Sequence, residues 1–188
     1  KKQNVSLMEG AGVDINKFLK NKSNIKEPTV LLASRMIWDK GINEFVKAAK
    51  VLNSRGLKAK FILVGKPDKE NPRSIPESQL NKWNQLEFID WLGYQSNMVD
   101  IFKKASIVTL PSFYGEGIPK VLIEAMACSL PIITTNMPGC RDLVEDHSNG
   151  ILVRAKDHID LANAFEKLIC DPSLCEIMGL KGREMAVK

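Results

Sequence analysis

The sequence predicts an α/β domain built on a doubly wound, parallel six-stranded sheet of Rossmann-like type, spanning residues 29–188. Three observations lead there. From Thr29 onward, short β-rich runs alternate with stretches of helical periodicity. Six such runs occur, each short and apolar. The chain has 188 residues of which 44% are hydrophobic, enough for one domain with its own core.

The elements follow in order. Residues 29–33 (TVLLA) form the first strand candidate. Ile42, Phe45, Val46, Ala49 and Leu52 then recur at helical spacing, with Asn43, Glu44, Lys47 and Lys50 on the opposite face. Gly56 ends that helix. Residues 59–64 form a second strand, closed by Gly65. Residues 66–75 are proline-rich and charged, hence a loop, and a helix is expected over 78–85. A third strand covers 86–91 and ends at Gly93, followed by a short helix over 98–104. Residues 107–110 form a fourth strand, with Pro111 as its stop. A helix over 119–128 follows, Pro119 being suited to its first turn. Residues 131–134 and 150–153 form the fifth and sixth strands. Leu161, Phe165, Leu168 and Ile169 stripe the next helix. Asp171-Pro172 reads as an N-cap and first-turn proline opening the last one. Residues 1–28 show no clear periodicity and read as an interdomain linker or entering segment.

Composition narrows the function classes. The net charge is +5, and lysines cluster at 17, 20, 22 and 26, a pattern most simply read as a solvated face. Aromatic content is 6%, and the aromatics do not interleave with the basic run, so no nucleic-acid partner is expected. No apolar run approaches the roughly 20 residues that span a bilayer. The opening KKQNVSLMEGAG is not read as a signal peptide, and a cytoplasmic location is expected. Cys128, Cys140, Cys170 and Cys175 form no C-x-x-C pair, and His147 and His158 are the two histidines. A metal site is therefore not expected, and the cysteines read as reduced thiols.

In doubly wound sheets, ligands bind beyond the carboxyl ends of the strands. The segments to inspect are 34–41, 65–67, 93–96, 111–119 and 135–140. The most informative is PSFYGEGIPKVLIEAMA, residues 111–127. Gly115 and Gly117 permit close backbone approach. The amides near Lys120, Val121 and Leu122 are expected to point out of a helix N-terminus, which is an anion site. Glu116 and Glu124 bracket it, and a carboxylate accepts two hydrogen bonds side by side, as a vicinal diol offers. Diphosphate in the middle with a diol at each end describes a sugar nucleotide. After the first strand, Arg35 and Lys40 are expected at the same sheet edge, where two cations can clamp a diphosphate. A phosphate-binding G-x-x-x-x-G-K-[ST] loop is absent. The dinucleotide fingerprint G-x-G-x-x-G fails because Lys120 takes the third glycine position.

From about residue 10 to its end, the chain resembles the C-terminal domain of retaining glycosyltransferases of family 4, which have the GT-B architecture. Gly12-Val13-Asp14 with Phe18 is similar to that family's entry into its second domain. Arg35 and Lys40-Gly41 resemble its diphosphate clamp. Glu116 and Glu124, with seven residues between them, match its paired glutamates. Pro138-Gly139-Cys140-Arg141-Asp142 and Asn149-Gly150 resemble its later loops. One departure stands at Ile118-Pro119, where many members carry an aromatic-glycine pair; proline removes an N–H donor there. The G-I-P-K-V-L version is similar to transferases building capsule, O-antigen or lipid-linked bacterial glycans.

The resemblance implies roles by position. Arg35 and Lys40 would neutralise the departing nucleoside diphosphate, with Glu116 holding the donor sugar and Glu124 the ribose hydroxyls. Backbone at Gly117, Ile118, Lys120, Val121 and Leu122 would contact sugar and phosphate. Gly93 and Tyr94 would border the base, and Gly65 would also belong to the donor site. It further implies transfer of a hexose or N-acetylhexosamine from a nucleotide sugar, expected to be a UDP-sugar, with retention and without a metal or other cofactor. The acceptor, a glycan or polyprenyl-linked lipid, would bind an N-terminal domain outside this chain, so the isolated domain is expected to be nearly inactive. A polyprenyl acceptor would bring peripheral association with the cytoplasmic membrane face. Two other readings share the same site: a sugar-nucleotide epimerase, and a non-catalytic nucleotide-sugar-binding module.

Overall fold

The six apolar runs become β1 (Thr29–Ala33), β2 (Lys60–Val64), β3 (Ile89–Trp91), β4 (Ile107–Leu110), β5 (Ile132–Thr135) and β6 (Gly150–Val153). In the computed structural model, which describes residues 12–19 and 27–188, they form one parallel sheet in the order β3-β2-β1-β4-β5-β6. The central strands are mostly apolar because both faces of the sheet are covered there. β1, β4 and β5 are buried at every position. Alternate residues feed opposite cores, as the two-residue period of a strand requires. Val30 and Leu32 enter one core, Leu31 and Ala33 the other.

The first core lies under α1 (Ile42–Ser54), α2 (Glu77–Asn84) and α5 (His158–Cys170). Phe45, Phe61 and Phe165 meet there with ring centroids 5.7–5.9 Å apart. The second core lies under α3 (Met98–Phe102) and α4 (Lys120–Ala127). Each fully buried side chain of this size contributes about 1.5–3 kcal/mol relative to exposure. α6 (Pro172–Val187) packs along α4. The expected N-cap is formed: Asp171 accepts from the Leu174 N–H at 2.9 Å, with Pro172 opening the helix.

Three expectations change. The third strand is confined to its last three residues because 86–88 turn to close α2: the Leu86 N–H bonds to Trp83 O and the Ile89 N–H to Leu86 O. The helix after β3 stops at Phe102. Pro119 is the extended residue before α4 (φ −70°, ψ 112°) rather than part of its first turn. Of the segment read as a linker, residues 12–19 dock onto the domain. Phe18 is buried edge-on against Phe102 at 6.0 Å, and Arg183 of α6 donates to Phe18 O at 3.1 Å. Lys20, Lys22 and Lys26 lie outside the described residues.

The strand order sets where a ligand can sit. The chain winds outward from β1 to β3, returns beside β1 as β4, and winds the other way. The loops after β1 and β4 therefore leave the sheet side by side and open a crevice at its carboxyl edge.

Candidate functional site

The two loops that flank this crevice are fastened to each other. After β1, residues Trp38–Lys40 form a single 3-10 turn that ends at Gly41. Gly41 has φ +72°, and a Cβ there would lie 2.1 Å from the carbonyl oxygen of Pro111, the first residue after β4. A side chain would separate the two loops. The carbonyl of Asp39 accepts from the Phe113 N–H at 3.0 Å and lies 3.1 Å from the Ser112 hydroxyl.

That junction brings together two of the residues nominated from sequence. Lys40 Nζ forms an ion pair with Glu116 Oε1; the two side chains are only 13% and 14% exposed. The same carboxylate oxygen is 2.6 Å from Ser112 Oγ. Lys40 still has donors to spare, since an ammonium carries three. Both residues line a hollow of about 370 Å³, together with Arg35, Gly117, Ile118, Lys120 and Val121.

Arg35 sits at the rim. Its guanidinium pairs with Asp68 of the loop after β2, Nη1 to Oδ2 at 2.7 Å. That side chain is 61% exposed, so the pair is worth at most about 1 kcal/mol and is readily exchanged. The loop carrying Asp68 is held in place by other contacts. Arg73 forks onto the Asp39 carboxylate at 2.9–3.3 Å, which raises the Arg73 pKa above its ordinary value. Backbone bonds from Met36 to Lys66 and from Trp38 to Arg73 add to it.

The helix N-terminus contributes as expected in part. Among the described residues, the N–H groups of Gly117, Ile118, Lys120 and Val121 have no acceptor, so they are available to an anion. Leu122 is a correction. Its N–H is taken by Pro119 O at 3.0 Å and its side chain is fully buried. This follows from Pro119 capping the helix with its carbonyl, which the sequence reading did not anticipate.

A second hollow of about 400 Å³ continues from the first, sharing Ala33, Ser34, Arg35 and Val121 with it. Glu124 lines it and is buried at 8% exposure. Burial pushes the Glu124 carboxyl above the ordinary glutamate range, opposed by Lys120, whose Nζ is 3.6 Å away one turn earlier on α4. Gly65 and Tyr94 line the far end, where the exposed Tyr94 ring is 5.7 Å from Lys66 Nζ. Gly93 stands behind them, its carbonyl bonded to the Gly65 N–H at 2.8 Å.

The crevice therefore runs from an aromatic end, past the buried carboxylate of Glu124 and the open end of α4, to the Lys40–Glu116 pair. Sequence reasoning named both ends. It gave no role to Ser34, which lines both hollows, or to Ser112, whose Oγ is 2.6 Å from Glu116 Oε1. A serine just past a strand is ordinary turn chemistry, and no signal in the sequence separates the two cases. Among the described residues, no group of three or more His, Cys, Asp or Glu is placed to hold a metal ion.

The profile of the glycosyl transferases group 1 family matches residues 14–185. The chain is 30% identical over 187 residues to the N,N'-diacetylbacillosaminyl-diphospho-undecaprenol alpha-1,3-N-acetylgalactosaminyltransferase of Campylobacter jejuni, covering 93% of this chain and 47% of that protein. It is 30% identical over 182 residues to the capsular polysaccharide biosynthesis glycosyltransferase CapM of Staphylococcus aureus, covering 92% and 47%. The chain thus spans about half the length of these relatives. Among solved structures, the Anabaena HepE protein in complex with UDP shares the fold at a TM-score of 0.82 and 22% identity, covering 93% of this chain and 50% of that one. With the family match running over nearly its whole length, the chain belongs to the group 1 glycosyl transferases.

Proposed function

We propose that the chain is the donor-binding half of a transferase that moves a hexose or N-acetylhexosamine from a UDP-sugar to a glycan or polyprenyl-linked acceptor. Transfer would retain the anomeric configuration and need no metal ion. The observation that carries this reading is the convergence of Lys40, Glu116, Glu124, Arg35 and the open N–H groups of α4 on one crevice at the switch point. Relatives named for N-acetylgalactosaminyl transfer to a lipid diphosphate and for capsule synthesis support the substrate class. The UDP bound to a protein of the same fold supports the nucleotide.

The chemistry follows from the charges. The bond between the anomeric carbon and the diphosphate oxygen breaks, and negative charge grows on the departing phosphate. Lys40, Arg35 and the end of α4 stabilise that charge, which removes the need for a cation from solution. Loss of one such contact typically costs 10²–10³-fold in rate, about 3–4 kcal/mol. The leaving phosphate takes the proton of the acceptor hydroxyl as the new bond to the sugar forms on the same face. In this reading Glu116 orients the sugar hydroxyls rather than attacking the anomeric carbon, with one of its oxygens held by Lys40 and Ser112. Glu124 takes the ribose diol, and Gly65 and Tyr94 border the base.

The acceptor site would lie on a domain outside these residues, and the chain alone would bind nucleotide while transferring little sugar. No helix among the described residues is long and apolar enough to cross a membrane; the reading takes contact with a lipid-linked acceptor to be peripheral. Calorimetric titration with UDP, GDP and ADP and their glucose conjugates tests the reading. UDP compounds should bind, Glu124→Ala should weaken them at least tenfold, and EDTA should change nothing. No binding by any of the nucleotides, or full turnover by residues 1–188 alone, would overturn it.

A further inference from the structure

Ser112 is fully buried and lines neither hollow, yet its Oγ lies 2.6 Å from Glu116 Oε1. Its surroundings decide what it does. Three acceptors lie within reach: Glu116 Oε1 at 2.6 Å, Asp39 O at 3.1 Å and Tyr114 O at 3.3 Å. A hydroxyl has one proton to give. The bond to a carboxylate is charge-assisted, and 2.6 Å is the length such a bond adopts. Asp39 O is already served by the Phe113 N–H. The Ser112 proton therefore goes to Glu116.

The serine is itself immobilised. Its carbonyl accepts from the Thr135 hydroxyl at the end of β5, and the Thr135 side chain is buried. Ser112 thus joins the loop after β1, the loop after β4 and the end of β5 at one point. Glu116 Oε1 receives both Lys40 and Ser112, while Oε2 has no partner among the described residues and the side chain borders the hollow. One oxygen is tethered from beneath and the other is presented.

We propose that Ser112 is the positioning residue of the donor-sugar subsite: by holding Glu116 Oε1 it aims Oε2 at a pair of sugar hydroxyls. This rests on the reading of Glu116 as the sugar ligand. Lys40 alone would not fix the carboxylate, because an ammonium on a flexible stem also follows the phosphate. The hydroxyl adds the second point that sets the plane of the carboxylate.

The test is calorimetry on the 188-residue chain with UDP and with UDP-glucose, UDP-galactose and their N-acetylated forms. Ser112→Ala should leave UDP affinity within about twofold and weaken the best UDP-sugar about tenfold or more. Glu116→Ala should lower the preference for UDP-sugar over UDP at least as much, and Ser112→Ala added to Glu116→Ala should lower that preference no further, as residues acting through one another are non-additive. Ser112→Thr, which keeps the hydroxyl, supplies a second variant should the alanine melt early. Equal loss of UDP and UDP-sugar, unchanged UDP-sugar binding in Ser112→Ala, or additive losses in the double variant would overturn the inference alone. Failure of the unaltered chain to bind UDP or any of the sugars would overturn the proposed function, and the inference with it.

Discussion

Gly139 lies against Glu116 so closely that a Cβ at Gly139 would stand 2.2 Å from the Glu116 carbonyl oxygen and 2.5 Å from that of Gly117. The loop after β5 is thus the floor on which the loop carrying Glu116 rests. The Glu116 N–H bonds to Pro138 O at 3.3 Å, and the Gly139 N–H is held by Asp142 Oδ2 at 2.9 Å. Gly139→Ala meets both the clash and a positive φ of 82°. It should cost about 2 kcal/mol of stability, and it should weaken UDP-sugar more than UDP. Thermal melts and paired titrations check both parts.

Under the proposed function, Asp68 would compete with the nucleotide for Arg35. The pair is exposed, so its loss costs little stability. Asp68→Ala should raise UDP affinity, up to about fivefold if the whole of a 1 kcal/mol contact is returned to the ligand. Arg35→Ala should lower affinity and flatten its dependence on salt, because one cation fewer faces the diphosphate. Titrations at two ionic strengths separate these outcomes; weaker binding by Asp68→Ala would assign Asp68 a supporting role instead.

Glu124 predicts an acid limb. Burial holds its pKa above the ordinary glutamate value, so it protonates at a higher pH than a solvent-exposed glutamate would. A protonated carboxyl cannot accept both hydrogen bonds of a diol. UDP affinity should therefore fall on acidification, beginning above the ordinary glutamate range, and the limb should vanish in Glu124→Gln. Stability has the opposite sense. The folded chain holds this proton more tightly than the unfolded chain, so the contribution of Glu124 falls as pH rises from the ordinary value through the raised one. Glu124→Gln should be the more stable protein at neutral pH. Denaturant melts at acidic and neutral pH check the sign.

The thiols should divide by burial. Cys128 is pushed up to about 11 by its apolar surroundings, and burial also raises Cys140. Cys170 is exposed. A thiol reagent at neutral pH should label Cys170 first and leave Cys128 and Cys140 untouched until the chain unfolds. Peptide mapping after timed labelling gives the order.

The sheet was legible in the sequence because most of its strands are short, largely apolar runs and its longer helices carry one apolar stripe, so these elements announce themselves locally. The boundaries that failed did so for nonlocal or backbone reasons. Residues 86–88 have strand composition but are spent closing α2, and the Pro119 carbonyl caps α4 by taking the Leu122 N–H. The site was legible to the extent that Lys40, Glu116 and Glu124 follow or open elements at one sheet edge. Its supports were not. The pairing of Asp39 with Arg73 and of Arg35 with Asp68 joins a charged loop to the clamp segment across more than thirty positions, and surface charges carry no periodicity from which to read partners. Ser112 is invisible for the same reason: only the fold brings Asp39, Thr135 and Glu116 around it.

Under the proposed function, one crevice holds a nucleoside diphosphate between two cations and a helix end, with a carboxylate on either side. A crystal structure of the chain soaked with UDP-glucose tests it most directly. The diphosphate should lie within hydrogen-bond reach of Lys40 and the N–H groups of Lys120 and Val121, with Arg35 released from Asp68 and Glu124 on the ribose hydroxyls. Nucleotide bound elsewhere, or a diphosphate contacting neither Lys40 nor the end of α4, would contradict the account.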